Sequence, residues 1–450
     1  MRLGEATIAQ LPQDVVQSTY DRAGQQIGIV HFGIGAFHRA HMAWYTEQVL
    51  EAGEWDWLIS GVSLRSRDVA DRLNPQDCYY TLTERCGSAR STRLIGAVRE
   101  VLFAPEDRER VVARLAQPSC HIASFTVTEK GYARAEGTRL DFATAEQSFY
   151  PLLAEGLDRR RARGLPGITL LPCDNLADNG RVLKDLMEQW LAARSPDLLE
   201  WFRSECRVPS TMIDRIVPRS GEDDLSALSR AIGMEDAGAV FTERFSQWVI
   251  EDAFAGPRPA WEDHGAQIVA DVAPYEAAKL RMLNGAHSLL AYCGLRAGHE
   301  FVHQAVADPG LTELAIQLMH CEAIATLEPA RGQDLEAYSA ALLERFSDPA
   351  LRHRLAQIAM DGTQKIPQRW LDSALHLARR GIAMPAIAAA FDAWLWHIEH
   401  EQFLDDPERD VLLRRAAEGG RAAIVDHCFG KMWTGYGELA ELFRTDGEAS

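Results

Sequence analysis

Residues 27–41 read IGIVHFGIGAFHRAH, and this stretch limits the fold more than any other. A six-residue apolar run stops on two glycines and passes at once into a helical pattern. A short apolar run bounded by glycine suits a strand buried on both faces, which is the environment of a parallel sheet. Three more runs of this kind follow: WLISGVSL (Trp57–Leu64), HIASFTVT (His121–Thr128) and GITLLPC (Gly167–Cys173). Helical stretches such as RERVVARLA and the run after Asn179 lie between them. Strands that alternate with helices predict βαβ units and an α/β fold. From about Tyr275 the strand signals stop. The remainder predicts consecutive helices at Glu276–Cys293, Leu311–Ala325, Asp334–Phe346, Ala350–Met360, Pro385–His400 and beyond, punctuated by Pro and Gly. The expected organisation is an α/β domain over residues 1–274 and a mainly α-helical domain over 275–450. There are no internal repeats, and only the final DGEAS reads as frayed.

Composition narrows the class of partner. The formal charge is −18, a field that disfavours nucleic acid and anionic membrane surfaces. No apolar run reaches the roughly 18 residues that span a bilayer. The nearest, Ile382–Ile398, is broken by Pro385 and Asp392 and reads as a buried amphipathic helix. The N-terminus has no apolar signal segment, and none of the 8 cysteines forms a CxxC pair. A reducing, cytoplasmic location without disulfides or structural zinc is the simplest expectation. A monomer or weak oligomer fits the acidic surface. Lysine is scarce: only Lys130, Lys184, Lys279, Lys365 and Lys431 occur beside 42 arginines. Arginine does not lose its proton in a protein, whereas a buried lysine can, so each surviving lysine asks for a reason.

Gly33 and Gly35 sit where a strand becomes a helix, the setting in which Gly-x-Gly lets backbone approach a pyrophosphate. The third glycine of G-x-G-x-x-G is replaced by His38. A ribose-binding carboxylate is expected past the second strand, where GVSLRSRDVADRL offers Asp68. Arg65 and Arg67 beside it could instead hold a 2′-phosphate, so the expectation leans to NAD with NADP open; as a bland alternative, Asp68 is a helix-capping acid. His31, His38 and His41 lack metal-site spacing. His38 and His41 are expected to clamp the cofactor or to lock the turn by hydrogen bonds, together with Phe37 and Arg39. Thr128 and Lys130, at the end of the third predicted strand, are further cofactor-side candidates.

The segment AAKLRMLNGAHSLLAYCG carries Lys279, Asn284 and His287. Counting about 100° per residue from Lys279 puts His287 at about 80°, Asn284 at about 140° and Glu276 at about 60°, all on one side of an α-helix. Hydride transfer from a secondary alcohol needs a base, donors for the developing alkoxide and a held cofactor. Lys, Asn and His can supply the first two. Alternatively, Asn284–Gly285 simply ends a helix whose lysine is on the surface. After the fourth strand, PCDNLADNG offers Asn175 and Asn179, the latter also a natural helix cap. DGTQKIPQRW offers Lys365 and Arg369 as cations for substrate hydroxyls or a carboxylate, or as ordinary helix-end charges.

Seven ordered segments, GIGAFHRAH, TVTEKGY, CDNLADNG, TMIDRIVP, QWVIED, KLRMLNGAHS and DGTQKIPQR, together resemble the mannitol dehydrogenase family. These are polyol-specific long-chain dehydrogenases, a group that includes fructuronate reductases. The resemblance implies a Rossmann-type doubly wound sheet followed by a helical substrate-binding and catalytic domain, with metal-independent hydride transfer to NAD(P). It implies Lys279 as general base, Asn175 and Asn284 as the alkoxide-stabilising pair, and His287 as a substrate ligand. Asp214 and Glu276 match polar positions of the site and its proton path. Gly33, Gly35 and Asp68 match cofactor positions, and Lys365 a second site lysine. Where mannitol enzymes carry an arginine near the substrate, this chain has Gln357. IAMDGTQKIPQR and QWVIEDAFAGPRPAW look closer to fructuronate reductases, with Arg369 as a carboxylate partner. The expected reaction interconverts D-mannonate and D-fructuronate. The alternative is oxidation of a free polyol such as mannitol, arabinitol or sorbitol. From other classes, a metal-dependent hydrolase using His31, His38 and His41 would lose its activity to a chelator, and a silent dinucleotide-binding protein would lack the Lys–Asn–His set, which is intact here.

Overall fold

A computed structural model describes residues 1–87, 89–135, 138–400 and 404–444, apart from the side chain of Glu129. The predicted frayed end, DGEAS, lies outside the described residues. The chain divides into two compact units, Met1–Val272 and Ala273–Ser450.

The N-terminal unit is built on five strands: β1 (Ile27–Phe32), β2 (Leu58–Ser63), β3 (Val98–Phe103), β4 (Ile122–Phe125) and β5 (Thr169–Pro172). All neighbours are parallel, in the order β3-β2-β1-β4-β5. Every residue of β1, β4 and β5 is buried, as a parallel strand covered on both faces requires. Alternate residues of β1 enter different cores. Val30 and Phe32 pack with residues of the helices Ala104–Leu115, Tyr150–Ala162 and Asn179–Arg194. Ile27 and Ile29 pack with those of Met42–Glu51. The sheet is therefore doubly wound, and its order changes direction between β1 and β4, the switch point at which ligands bind in such folds.

Two smaller sheets complete the unit. One has the order Val15–Val16, Ala89–Ile95, Tyr80–Cys86, Val240–Glu243, and the other Gln267–Val269, Gln247–Glu251, Thr211–Asp214. The strand reading had not included these strands or β3. In β3, Arg99 and Glu100 interrupt the apolar run. Glu100 is drawn inward by bonds from Ser60 and Arg114 and an ion pair with Arg110.

In the C-terminal unit the helix Pro385–His400 buries Ile387, Phe391, Trp394 and Ile398 and packs on Gly285–Arg296. Its first turn is capped by the buried carboxylate of Glu322, which accepts from Ala386 N and Ile387 N at 2.8 Å each; an anion there also meets the helix dipole favourably. No helix among the described residues is long and apolar enough to cross a membrane. The expected helix Ala350–Met360 shrinks to Leu355–Ile358. The preceding residues are taken up by a bridge to Phe301: Val302 N donates to His353 O and Leu355 N to Glu300 O, each at 3.0 Å.

Candidate active site

In the N-terminal unit the glycine turn is fixed by sterics and by a short chain of hydrogen bonds. Gly33 has φ +96°, and a Cβ there would lie 2.4 Å from Thr126 O. Only glycine accepts both conditions. The Thr126 hydroxyl donates to Gly33 O at 2.6 Å and also meets His31 Nε2 at 2.8 Å. That hydroxyl has one proton, already given to Gly33, so Nε2 of His31 must be the donor. Nδ1 then accepts from Ser124 Oγ at 2.9 Å. Burial pushes His31 down to about 3, so the ring is neutral. His38 stacks on it with ring centroids 3.4 Å apart and is likewise held well below the usual imidazole range by burial, then by His31.

Arg39 donates to Gly35 O at 3.3 Å and to Gly238 O, while Phe37 stacks on His41. His38 and Arg39 are both buried. Gly35 is the opposite of Gly33. It is exposed, and a Cβ there would meet only Gly33 O, at 3.8 Å. The open space over Gly35 is where backbone can meet a diphosphate.

The other carboxyl ends of the sheet carry the remaining candidates. After β2, Asp68 is exposed and opens the helix Asp68–Leu73. Arg67 is engaged by Asp71 at 3.0 Å and by Glu106. After β4, Thr128 and Lys130 are exposed. After β5, Asn175 is exposed beside Asp174, whose carboxylate accepts from Tyr132. Burial pushes Asp174 up to about 7, with the Tyr132 bond acting against the rise. Asn179 is fully buried. Its side chain donates to Thr211 O at 3.0 Å and accepts from Thr211 N at 2.9 Å. It therefore ties the loop after β5 to the strand that ends in buried Asp214, a structural task rather than substrate contact.

In the C-terminal unit the lysine segment departs from the α-helical expectation. Ala273–Ala278 is α-helical, Lys279–Asn284 forms a π-type turn, and Gly285–Arg296 is α-helical again. The chain runs on through Asn284–Gly285, so that pair does not end a helix. A π turn bonds i to i+5 and holds more than four residues, so each residue advances under about 90°. Asn284 therefore returns to within about 90° of Lys279 instead of the α-helical 140°. Lys279 and His287 are both 8% exposed, and Glu276 and Asn284 are half-buried.

His287 packs against Phe346 (4.5 Å) and edge-on to His353 (5.3 Å). Burial, then His353, Arg345 and Arg369, keep it well below the usual imidazole range. Arg369 donates to Ser288 Oγ at 2.6 Å. Burial pushes its guanidinium down to about 10, and among the described residues no carboxylate lies within ion-pair distance of it. Lys365 is half-buried. Its ammonium donates to Met360 O at 2.5 Å and lies 3.8 Å from Asp361. Burial, then Arg369, lowers it. Sequence reasoning missed His353, Arg345 and Ser288. His353 comes from a segment whose helical pattern misleads, Arg345 sits on a helix whose pattern gives no hint of a site, and Ser288 is one more small residue on a core helix. A Tyr132–Asp174 pair across 42 residues left no local signal either.

A doubly wound sheet with a glycine turn at its switch point is the setting of a dinucleotide-binding domain, and the helical unit carries Lys279, Asn284 and His287 within one continuous helical run. The chain belongs to the mannitol dehydrogenase family: residues 27–263 match the mannitol dehydrogenase Rossmann domain and residues 271–414 its C-terminal domain. It is 41% identical over 392 residues to a D-mannonate oxidoreductase of Escherichia coli, covering 83% of this chain and 81% of that one. Among solved structures it is similar to the Pseudomonas fluorescens mannitol 2-dehydrogenase ternary complex with NAD and D-mannitol (TM-score 0.84, 31% identity, 99% and 96% of the two chains). It is also similar to a D-sorbitol dehydrogenase in substrate-free form (TM-score 0.91, 32% identity, 99% and 97%).

Proposed function

We propose that the chain is an NAD-dependent oxidoreductase that interconverts the secondary alcohol and ketone of a sugar acid of the D-mannonate/D-fructuronate type. Arg369 carries the choice of substrate class. A half-buried guanidinium with a hydroxyl partner and, among the described residues, no carboxylate within ion-pair distance is stabilised by an incoming anion. Its fork geometry matches a carboxylate, and a neutral polyol would leave it uncompensated. The 41% identity to a D-mannonate oxidoreductase supports the same reading. The open face of Gly35 suits a dinucleotide's diphosphate, and exposed Asp68 is placed beyond β2 for its ribose hydroxyls. Arg67, already bound to two carboxylates, is poorly placed to serve a 2′-phosphate. Thr128 and Lys130 would flank the same cofactor.

NAD, when bound, supplies the hydride acceptor. In the oxidative direction Lys279 Nζ takes the hydroxyl proton as the C–H bond is lost, and in reduction it returns that proton. Asn284 donates an amide N–H bond to the oxygen while it carries negative charge. Preorganised donors aimed at a developing alkoxide are among the strongest catalytic devices. His287, held neutral, can both give and accept a bond and so grips a neighbouring hydroxyl. Glu276 lines the proton's route, and Lys365 adds positive charge toward the acid. Replacing Arg369 by Gln should raise KM for D-mannonate by about 100-fold, the magnitude of a lost charge-assisted pair, with kcat changed far less. An unchanged KM would remove the carboxylate assignment.

A further inference from the structure

Three π-type turns of the C-terminal unit meet at one glycine: Lys279–Asn284, Leu318–Ala323 and Pro367–Leu371. The first packs on both of the others. Such turns are rare and are found mostly at functional sites, so one that rests on two others points to neighbours that hold it. Gly285, directly after the lysine turn, is the meeting point. A Cβ there would lie 3.2 Å from Arg369 O and 3.4 Å from Leu318 Cδ2. The fully buried Trp370 donates its indole N–H to Gly285 O at 3.1 Å. On the other side, Arg281 of the lysine turn donates to Thr326 O at 2.7 Å.

The wide turn has a chemical consequence. Lys279 opens it and Asn284 closes it. In an α-helix these two would diverge by about 140°, whereas in the wide turn they come within about 90° and can serve the same substrate oxygen. The partner turn carries Arg369, whose carbonyl rests against Gly285 while its side chain reaches Ser288. One contact thus holds the register of the base and the position of the cation.

We infer that Gly285 and Trp370 form a positioning lock that keeps the lysine turn wide, so that Lys279 and Asn284 act as a pair. Neither residue touches substrate; both act through register. The inference rests on the reading of Lys279 as general base.

The test uses Trp370→Phe in the full chain, which keeps an aromatic ring and removes the donor, and Gly285→Ala, whose Cβ would lie 3.2 Å from Arg369 O and press on the contact between the two turns. Each is measured for kcat and KM with D-mannonate, NADH affinity, thermal midpoint, and the deuterium isotope effect on kcat with substrate labelled at the reacting carbon. The lock predicts a roughly tenfold lower kcat for Trp370→Phe and a larger loss for Gly285→Ala. It also predicts a rising isotope effect as hydride transfer slows, and NADH affinity within about twofold of the parent. A structural role alone would move the thermal midpoint without raising the isotope effect. Parental kcat in both variants, or losses that only track the thermal midpoint, would overturn the lock. If Trp370→Phe does not fold, Gly285→Ala decides by the same readouts. Lys279→Ala run in parallel separates the failures. Retained turnover there removes the base assignment and the lock with it. An inactive Lys279→Ala beside fully active lock variants removes the lock alone.

Discussion

The glycine turn of the N-terminal unit and the lysine turn of the C-terminal unit solve the same problem, holding a few groups in a set position, by opposite means. At the glycine turn the constraint is local and steric. Gly33 has a backbone angle that other residues adopt only under strain, and Thr126, Ser124 and His31 close a chain of hydrogen bonds beneath it. At the lysine turn the constraint comes from a distance. A rare helical register is held by Trp370, 85 residues away, and by Arg281 bonding across 45 residues. The first kind of site is written in a motif. The second is written in packing.

The contrast can be broken experimentally. The largest effect is expected at Lys279. Replacement by Ala should lower kcat by about three orders of magnitude, within the range for loss of a general base, and leave NADH affinity within about twofold. A parallel fall in affinity would show that the lysine belongs to cofactor binding instead.

Next, Gly33→Ala should cost about 2–4 kcal/mol of stability from strain and overlap with Thr126, with cofactor binding falling as the turn deforms. Gly35→Ala should stay within about 0.5 kcal/mol of the parent yet weaken NAD binding about tenfold. Equal losses of stability would erase the distinction between a steric glycine and an open one.

The smallest effect is acid sensitivity. His353 is pushed down to about 4 by burial, then by Arg345, and His287 is lowered further. Below the ordinary imidazole value of about 6.5 the unfolded chain binds protons that the folded chain refuses, so stability falls as pH drops from about 6.5 toward about 4. His353→Gln should reduce this acid loss, measured as urea midpoint against pH, by up to about 3 kcal/mol at pH 4. An unchanged pH dependence would place the His353 ring in water.

Legibility followed the same divide. The four apolar strands that end on glycine or polar loops announced the parallel sheet, because a strand covered on both faces reads as a near-continuous apolar run. β3 was missed because Glu100 is carried inside by Ser60 and Arg114, and Tyr80–Cys86 with Ala89–Ile95 because their polar alternation resembles a loop. The Lys279, Asn284 and His287 set was visible as residues, but its geometry was not. A count of 100° per residue presumes an α-helix, and the widened turn is stabilised by residues the local sequence does not contain. Asn179 shows the reverse case: a residue that reads as a helix cap or a substrate donor is spent on Thr211.

The central claim is that a sugar acid is the substrate, and parallel steady-state kinetics test it most directly. With NAD as acceptor, kcat/KM for D-mannonate should exceed that for D-mannitol, D-arabinitol and D-sorbitol by about 100-fold or more, the worth of one charge-assisted carboxylate pair. A value for any neutral polyol equal to or above that for D-mannonate would contradict it.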